Sequence, residues 1–193
     1  MSQSTPDNAA VRIDWKLAGV LFAGVVISGL CAYRMLHNRP VDAASATAIV
    51  ALPAPAFEAM DESNEFFRLK AYLGRHRIIV VFYDGDTGAD QNADLRELQR
   101  RADELKRLDV KLVGVSRSIP QFNRAAIDRM GEFPGPLVSD IEGAIQDVWG
   151  RSLPNGGTRP GLFLVDRKGF VRTSGGVPLS YESVDDLWKD LSK

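Results

Sequence analysis

The sequence predicts an α/β fold, a mixed sheet flanked by helices, plus one N-terminal transmembrane helix. Three observations carry this. Residues 78–83 (IIVVFY), 110–115 (VKLVGV) and 161–166 (GLFLVD) are nearly continuous β-branched, aliphatic or aromatic runs, the pattern of strands buried on both faces. Apolar residues at steps of three and four recur between and after them, as in amphipathic helices. Residues 17–33 (LAGVLFAGVVISGLCAY) form an uncharged stretch bracketed by Lys16 and Arg34.

In chain order, a short tail (1–16) precedes the predicted anchor (17–36). Met35 and Leu36 extend the apolar run if Arg34 snorkels, and Trp15 and Tyr33 suit the two interfaces. A cleaved signal peptide and a buried soluble helix are the alternatives. The run exceeds the usual signal core, and the nearest small-residue cleavage pattern, Ala44-Ser45-Ala46, lies beyond Arg34, His37 and Arg39. Arg12 and Lys16 before the span balance Arg34 and Arg39 after it, so the positive-inside count is a tie. The short tail favours a single-pass membrane protein with its main domain extracytoplasmic. Gly19/Ala23 and Gly24/Ser28 have small-xxx-small spacing, a weak dimerisation signal. Residues 37–51 read as an Ala/Pro-rich linker, and 52–193 as the globular domain.

Within that domain, the strand at 78–83 runs into a polar turn, 84–94 (DGDTGADQNAD). Leu95, Leu98, Ala102, Leu105 and Leu108 mark one helix, its outer face carrying pairs such as Glu97/Arg101. After the second strand, Pro120 opens a helix running to Met130, with proline in the tolerated first turn. Leu137-Val138 is a short strand, and residues 141–149 a short helix stopped by Gly150. Arg167-Lys168-Gly169 turns the third long strand into Phe170–Thr173, and Val184, Leu187, Trp188 and Leu191 share one face of a closing helix. Trp149 and Trp188 are assigned to packing.

Composition narrows the chemistry. Twenty-four basic against 25 acidic residues give a net charge of −1, with no basic surface for nucleic acid. The single cysteine, Cys31, falls within the predicted anchor, where it reads as a small apolar residue. This excludes an intramolecular disulfide and a cysteine-based zinc cage. The two histidines, His37 and His76, lack ligand-spaced partners, so no cofactor or resident metal is predicted.

Several strings in the domain resemble the peroxiredoxin (alkyl hydroperoxide reductase/thiol-specific antioxidant, redoxin) branch of the thioredoxin-like superfamily, over roughly residues 52–192. Pro53-Ala54-Pro55-Ala56-Phe57 resembles the family's "APxF" opening. Residues 78–83 resemble the strand that ends in Phe-Tyr before the active-site loop. Phe133-Pro134-Gly135-Pro136-Leu137-Val138-Ser139-Asp140, with Gly143 and Trp149-Gly150, resembles "FPFPLLSD…G…YG". Thr158 to Gly169 resembles the late strand and hairpin. The resemblance implies a thioredoxin-like, peroxiredoxin-type sheet and an antioxidant oxidoreductase ancestry.

It fails at the chemistry. The family's Pro-x-x-x-Thr-x-x-Cys motif finds Thr87 at its threonine, but Asp90 stands where the peroxidatic cysteine belongs. The proline position falls on Tyr83 or Asp84, and a resolving cysteine is absent. Peroxide reduction needs a thiolate that is oxidised to a sulfenic acid. Neither a carboxylate nor Ser116, Ser118 or Ser139 can follow that course, and no histidine lies in the loop to activate a serine.

The degenerate site nevertheless supports three expectations. Asp90, Asn92 or Asp94 caps the following helix, where unpaired amides and the dipole favour negative charge. Asp90 replaces the thiolate's charge and pairs with Arg159, which the resemblance places near the family's active-site arginine. Asp84, Asp86, Gly88, Asp90 and Asn92 alternate like half a calcium loop, although Leu95 stands where the closing glutamate belongs. Arg159-Pro160 resembles the cis-proline position of thioredoxin-like folds, an edge that contacts partner peptides in the family. The candidate binding residues are therefore Asp84, Asp86, Asp90, Arg159 and Pro160, with an unknown protein as partner. The expected function is a membrane-anchored, non-catalytic binding or redox-associated accessory module. The alternative is an antioxidant oxidoreductase that relies on a partner's thiol.

Overall fold

A computed structural model describes residues 48–192. The predicted tail, anchor and most of the linker, with Cys31 and His37, lie outside them. No helix among the described residues is long and apolar enough to cross a membrane.

Nine strands among the described residues form one mixed sheet, in the order β1-β8-β7-β4-β5-β6-β2-β3, with β9 on β8. The strands are β1 (Ile49–Pro53), β2 (Glu58–Met60), β3 (Phe66–Arg68), β4 (Arg77–Phe82), β5 (Val110–Ser116), β6 (Leu137–Ser139), β7 (Gly161–Val165), β8 (Phe170–Ser174) and β9 (Val177–Pro178). The helices are α1 (Ala93–Arg100), α2 (Ala102–Arg107), α3 (Pro120–Met130), α4 (Ala144–Val148) and α5 (Val184–Leu191). β4, β5 and β6 are parallel, with helical crossovers from β4 to β5 and from β5 to β6, whereas β7 returns antiparallel to β4.

The strict alternation of side chains along a strand builds two cores from β4 alone. Ile78, Val80 and Phe82 face one layer with Val113, Val115, Phe163, Val165 and Val171. Ile79, Val81 and Tyr83 face the other, beneath Leu95 and Leu98 of α1, Leu105 of α2, Ala126 of α3, and Val184, Leu187 and Leu191 of α5. Trp149, fully buried, fills the first layer. Its ring centroid lies 5.2 Å from Phe163, 5.6 Å from Phe82 and 6.4 Å from Phe57, and its Nε1 donates to the Pro55 carbonyl.

Three expectations change in detail. The linker ends earlier than residue 51, because Ile49–Pro53 pairs with β8 from Ile49↔Ser174 to Pro53↔Phe170. That pairing partner lies more than a hundred residues away, so an Ala/Pro-rich context hid the strand. The helix expected across Leu95–Leu108 is two helices that break at Arg101. There the Arg101 amide is shared between the Glu97 and Leu98 carbonyls. Its guanidinium binds Glu97 (Nε to Oε1, 2.7 Å) and Asp185 (2.7 Å) and covers the Trp188 ring at 4.8 Å. The expected Glu97/Arg101 pair therefore exists, but as part of the α1–α5 contact. Finally, Arg159-Pro160 is trans, as is every peptide bond among the described residues.

Candidate functional site

The C-terminal ends of β4 and β5 open onto a cleft of about 590 Å³, the usual place for a site in an α/β sheet. Its first wall is the turn after β4. Asp84 organises this turn: its carboxylate accepts the Asp86 amide (3.1 Å), and its carbonyl accepts the Thr87 hydroxyl (3.1 Å) and the Gly88 amide (3.2 Å). Gly88 adopts φ +83°, and a Cβ there would meet an Asp90 oxygen at 2.9 Å. One turn of 3₁₀ helix (Ala89–Gln91) follows, after which Asn92 caps α1 by accepting the Leu95 amide at 2.9 Å. Of the three capping candidates, the cap is thus Asn92.

Asp90 instead turns to α3. Its two oxygens take Nε and Nη2 of Arg129, each at 2.8 Å, a fork-to-fork pair. Gln91 adds a third donor at 3.2 Å, and Arg96 donates to the Asp90 carbonyl. Asp90 is 8% exposed, whereas the Arg129 side chain is 57% exposed. The Arg129 fork holds the Asp90 carboxyl down to about 2, against burial, which acts in the opposite direction. The charge replacement expected at this position therefore uses Arg129. Arg159 is exposed, with its amide on the Arg151 carbonyl; burial, and then the Arg159 charge, push the Arg151 guanidinium down. Pro160 contributes its carbonyl to Arg151 (3.3 Å). The sequence signal for Arg129 is slight, a basic residue in the last turn of a helix, where a solvated position is ordinary.

The second wall comes from β5 and the start of α3. Ser118 donates its hydroxyl to the Gly85 carbonyl at 2.9 Å, and a Cβ on Gly85 would lie 2.7 Å from that hydroxyl oxygen. Arg117 donates to the carbonyls of Gly156 and Ile141, tying two loops across the far side of the cleft. Ile119, Phe122 and Ile141 form an exposed apolar rim. Behind this wall runs a buried polar row. The Tyr83 hydroxyl donates to Asn123 Oδ1 at 2.7 Å, and Asn123 Nδ2 donates to Ser139 Oγ at 3.2 Å. Ser116 Oγ accepts from the Ser118 amide at 3.3 Å. Burial pushes the Tyr83 phenol far up, so it stays a neutral donor. All three serines considered as nucleophiles thus serve as hydrogen-bonded scaffold.

The acidic series of the turn does not converge on one point. Asp84 is folded back on its own turn and Asp90 is committed to Arg129. Among the described residues, no group of three histidine, cysteine or acidic side chains is placed to hold a metal. His76 pairs with Asp109 (3.0 Å), well away from the cleft. The arrangement offers a mixed polar and apolar cleft beside a neutralised carboxylate, and no thiol.

Comparison with known proteins agrees with this architecture. A chloroplastic 2-cysteine peroxiredoxin of Chattonella marina var. antiqua is 29% identical over 149 residues, spanning 72% of this chain and 76% of its own. Alkyl hydroperoxide reductase E of Mycobacterium tuberculosis is 28% identical over 127 residues, spanning 64% and 82%. The reduced 2-Cys peroxiredoxin of Plasmodium vivax superposes with a TM-score of 0.58 at 22% identity, covering 72% of this chain and 92% of that one, which establishes the fold alone. The model of the AhpC/TSA family matches residues 50–174, and the chain belongs to that family.

Proposed function

We propose that this chain is a membrane-anchored, cysteine-less peroxiredoxin-like module that turns over no hydroperoxide itself and binds a protein partner at the cleft beside Asp90. The observation that carries the reading is the Asp90–Arg129 fork. At the position the family resemblance assigns to the peroxidatic cysteine stands a carboxylate with both oxygens engaged by one guanidinium. A carboxylate held near 2 is a weak nucleophile and cannot be cycled through a sulfenic acid. The pair keeps the turn, α1 and α3 joined, so the cleft and its rim persist without the chemistry. Membrane attachment rests on the uncharged stretch at 17–33.

The test is a photocrosslinker placed at Thr87 in the full chain in its native membranes. The reading expects one discrete protein adduct, weakened by Phe122→Asp on the exposed rim and unaffected by a distant change such as Ser63→Asp. A diffuse adduct pattern indifferent to Phe122→Asp rejects a partner site at this cleft.

A further inference from the structure

The far wall of the cleft carries the only Asn-Gly step in the sequence. Of six asparagines, Asn155 alone precedes a glycine; the others precede alanine, arginine or glutamate. Asn155 sits at the tip of a short hairpin. Its arms meet at the bridge Ser152↔Thr158, with the Arg159 amide on the Arg151 carbonyl (2.7 Å) and the Leu153 amide on the Gly157 carbonyl (2.9 Å). Leu153-Pro154-Asn155-Gly156 forms the turn, closed by the Gly156 amide on the Leu153 carbonyl at 2.9 Å. Asn155 and Gly156 are exposed, and Gly156, Gly157 and Thr158 line the cleft. Arg117 holds the Gly156 carbonyl from the opposite side.

This geometry favours attack of the Gly156 nitrogen on the Asn155 side chain. Asn155 Oδ1 accepts the Gly157 amide at 3.1 Å, an Asx turn that folds the side-chain amide forward across the Gly156 nitrogen. The same bond aims a donor at the oxygen on which negative charge develops when a nucleophile adds to Cγ. Gly156 brings no side chain to obstruct the approach, and the nearest atom to a Cβ built on it would be Arg117 Nη1, at 3.6 Å. One contact opposes the attack: the Gly156 amide must leave the Leu153 carbonyl before its nitrogen can react. A hydrogen bond at an exposed loop tip opens at little cost. The other described asparagines are placed differently. Asn123 is buried between Tyr83 and Ser139, Asn92 caps α1, and the exposed Asn64 is followed by the side chain of Glu65.

We propose that Asn155 is a site of spontaneous deamidation, and that its conversion remodels the far wall of the cleft. The Gly156 nitrogen bonds to Asn155 Cγ, and its proton passes through water to the departing NH2 group, which leaves as ammonia. Water then opens the resulting succinimide, so that one water is consumed for each ammonia released. Cleavage between the nitrogen and Cγ gives aspartate; cleavage between the nitrogen and the backbone carbonyl carbon gives isoaspartate, whose chain runs through Cβ and Cγ. Either product adds a negative charge next to the Gly156 carbonyl that Arg117 holds. Isoaspartate also adds a backbone carbon to the turn, which breaks the Leu153–Gly157 register. The chemistry is the same whether or not a partner occupies the cleft. The test ages the full chain in detergent solution, in water enriched in heavy oxygen, and reads it by peptide mass spectrometry with fragmentation that separates the two acids. Residue 155 becomes an acid carrying one solvent oxygen, mostly as isoaspartate, at a rate proportional to hydroxide, while the other five asparagines stay amides. Asn155→Gln, whose attack would close a larger ring, stays an amide. The rate lies within about tenfold of that of the same chain unfolded in denaturant, as expected of a loop tip. Stronger protection means that the turn blocks the attack and overturns the proposal, as does equal conversion at Asn64. Hydrogen exchange across residues 151–159 rises in the aged chain and stays low in aged Asn155→Gln and in fresh Asn155→Asp. Unchanged exchange in chains bearing isoaspartate overturns the remodelling.

Discussion

The Asp90–Arg129 pair lends itself to a double-mutant cycle with a built-in asymmetry. A carboxyl held at about 2 instead of its ordinary 3.8 corresponds to at most ~2.5 kcal/mol of stability at neutral pH. Solvent around the half-open Arg129 side chain screens the attraction, so the coupling expected is ~1–1.5 kcal/mol. The single changes are unequal. Asp90→Asn releases a guanidinium that water can solvate and costs about 1 kcal/mol, whereas Arg129→Gln strands a buried carboxylate and costs about 2 kcal/mol or more. Because the folded value lies below the unfolded one, the contribution is complete above the unfolded value and is lost as pH falls from about 4 toward 2. Thermal unfolding of the four variants at pH 7 measures this, at roughly 2–4 °C per kcal/mol for a domain of this size. Strictly additive effects, with coupling below ~0.3 kcal/mol, refute the reasoning.

Other perturbations test the scaffold. Trp149→Ala empties the aromatic layer between β4, β7 and the APxF-like opening. It lowers stability by ~3–5 kcal/mol, read as a fall in Tm, and a loss below ~1 kcal/mol contradicts the packing described. Gly85→Val pushes the β4 turn off Ser118, so fluorescence from a probe on the turn reports increased mobility, while α5 stays protected in hydrogen exchange. In the Cys31→Ser background, Asp90→Cys places a thiol within reach of Arg129, so its alkylation rate titrates below the ordinary ~8.5 of a free cysteine; a normal or raised value shows that Arg129 does not follow the new side chain.

Most of the sheet was legible in the sequence because its signals are local. Buried parallel strands read as unbroken apolar runs, and Pro120, Gly150 and the Arg167–Gly169 turn punctuate them. The missing elements depend on partners distant in the chain. β1 exists by virtue of β8. The β2–β3 hairpin, three residues to a strand, is too short for a periodic pattern to register. Arg101 breaks a continuous helical pattern because Asp185 and Trp188 on α5 engage its side chain. At the site, Asp90 was identifiable because a carboxylate stood in a motif's cysteine position. The resemblance points to Arg159 as its partner and the structure supplies Arg129, since resemblance transfers positions along the chain whereas ion pairing follows space. Arg129 arrives from a helix face that spacing alone marks as solvated.

The account turns on the lack of a thiol in residues 48–192, where no cysteine occurs. Its most direct measurement is hydroperoxide consumption, with a dithiol reductant, by the full chain and by the same chain carrying Cys31→Ser. The prediction is that neither consumes peroxide above the uncatalysed background over many equivalents. Sustained turnover that survives Cys31→Ser would contradict it.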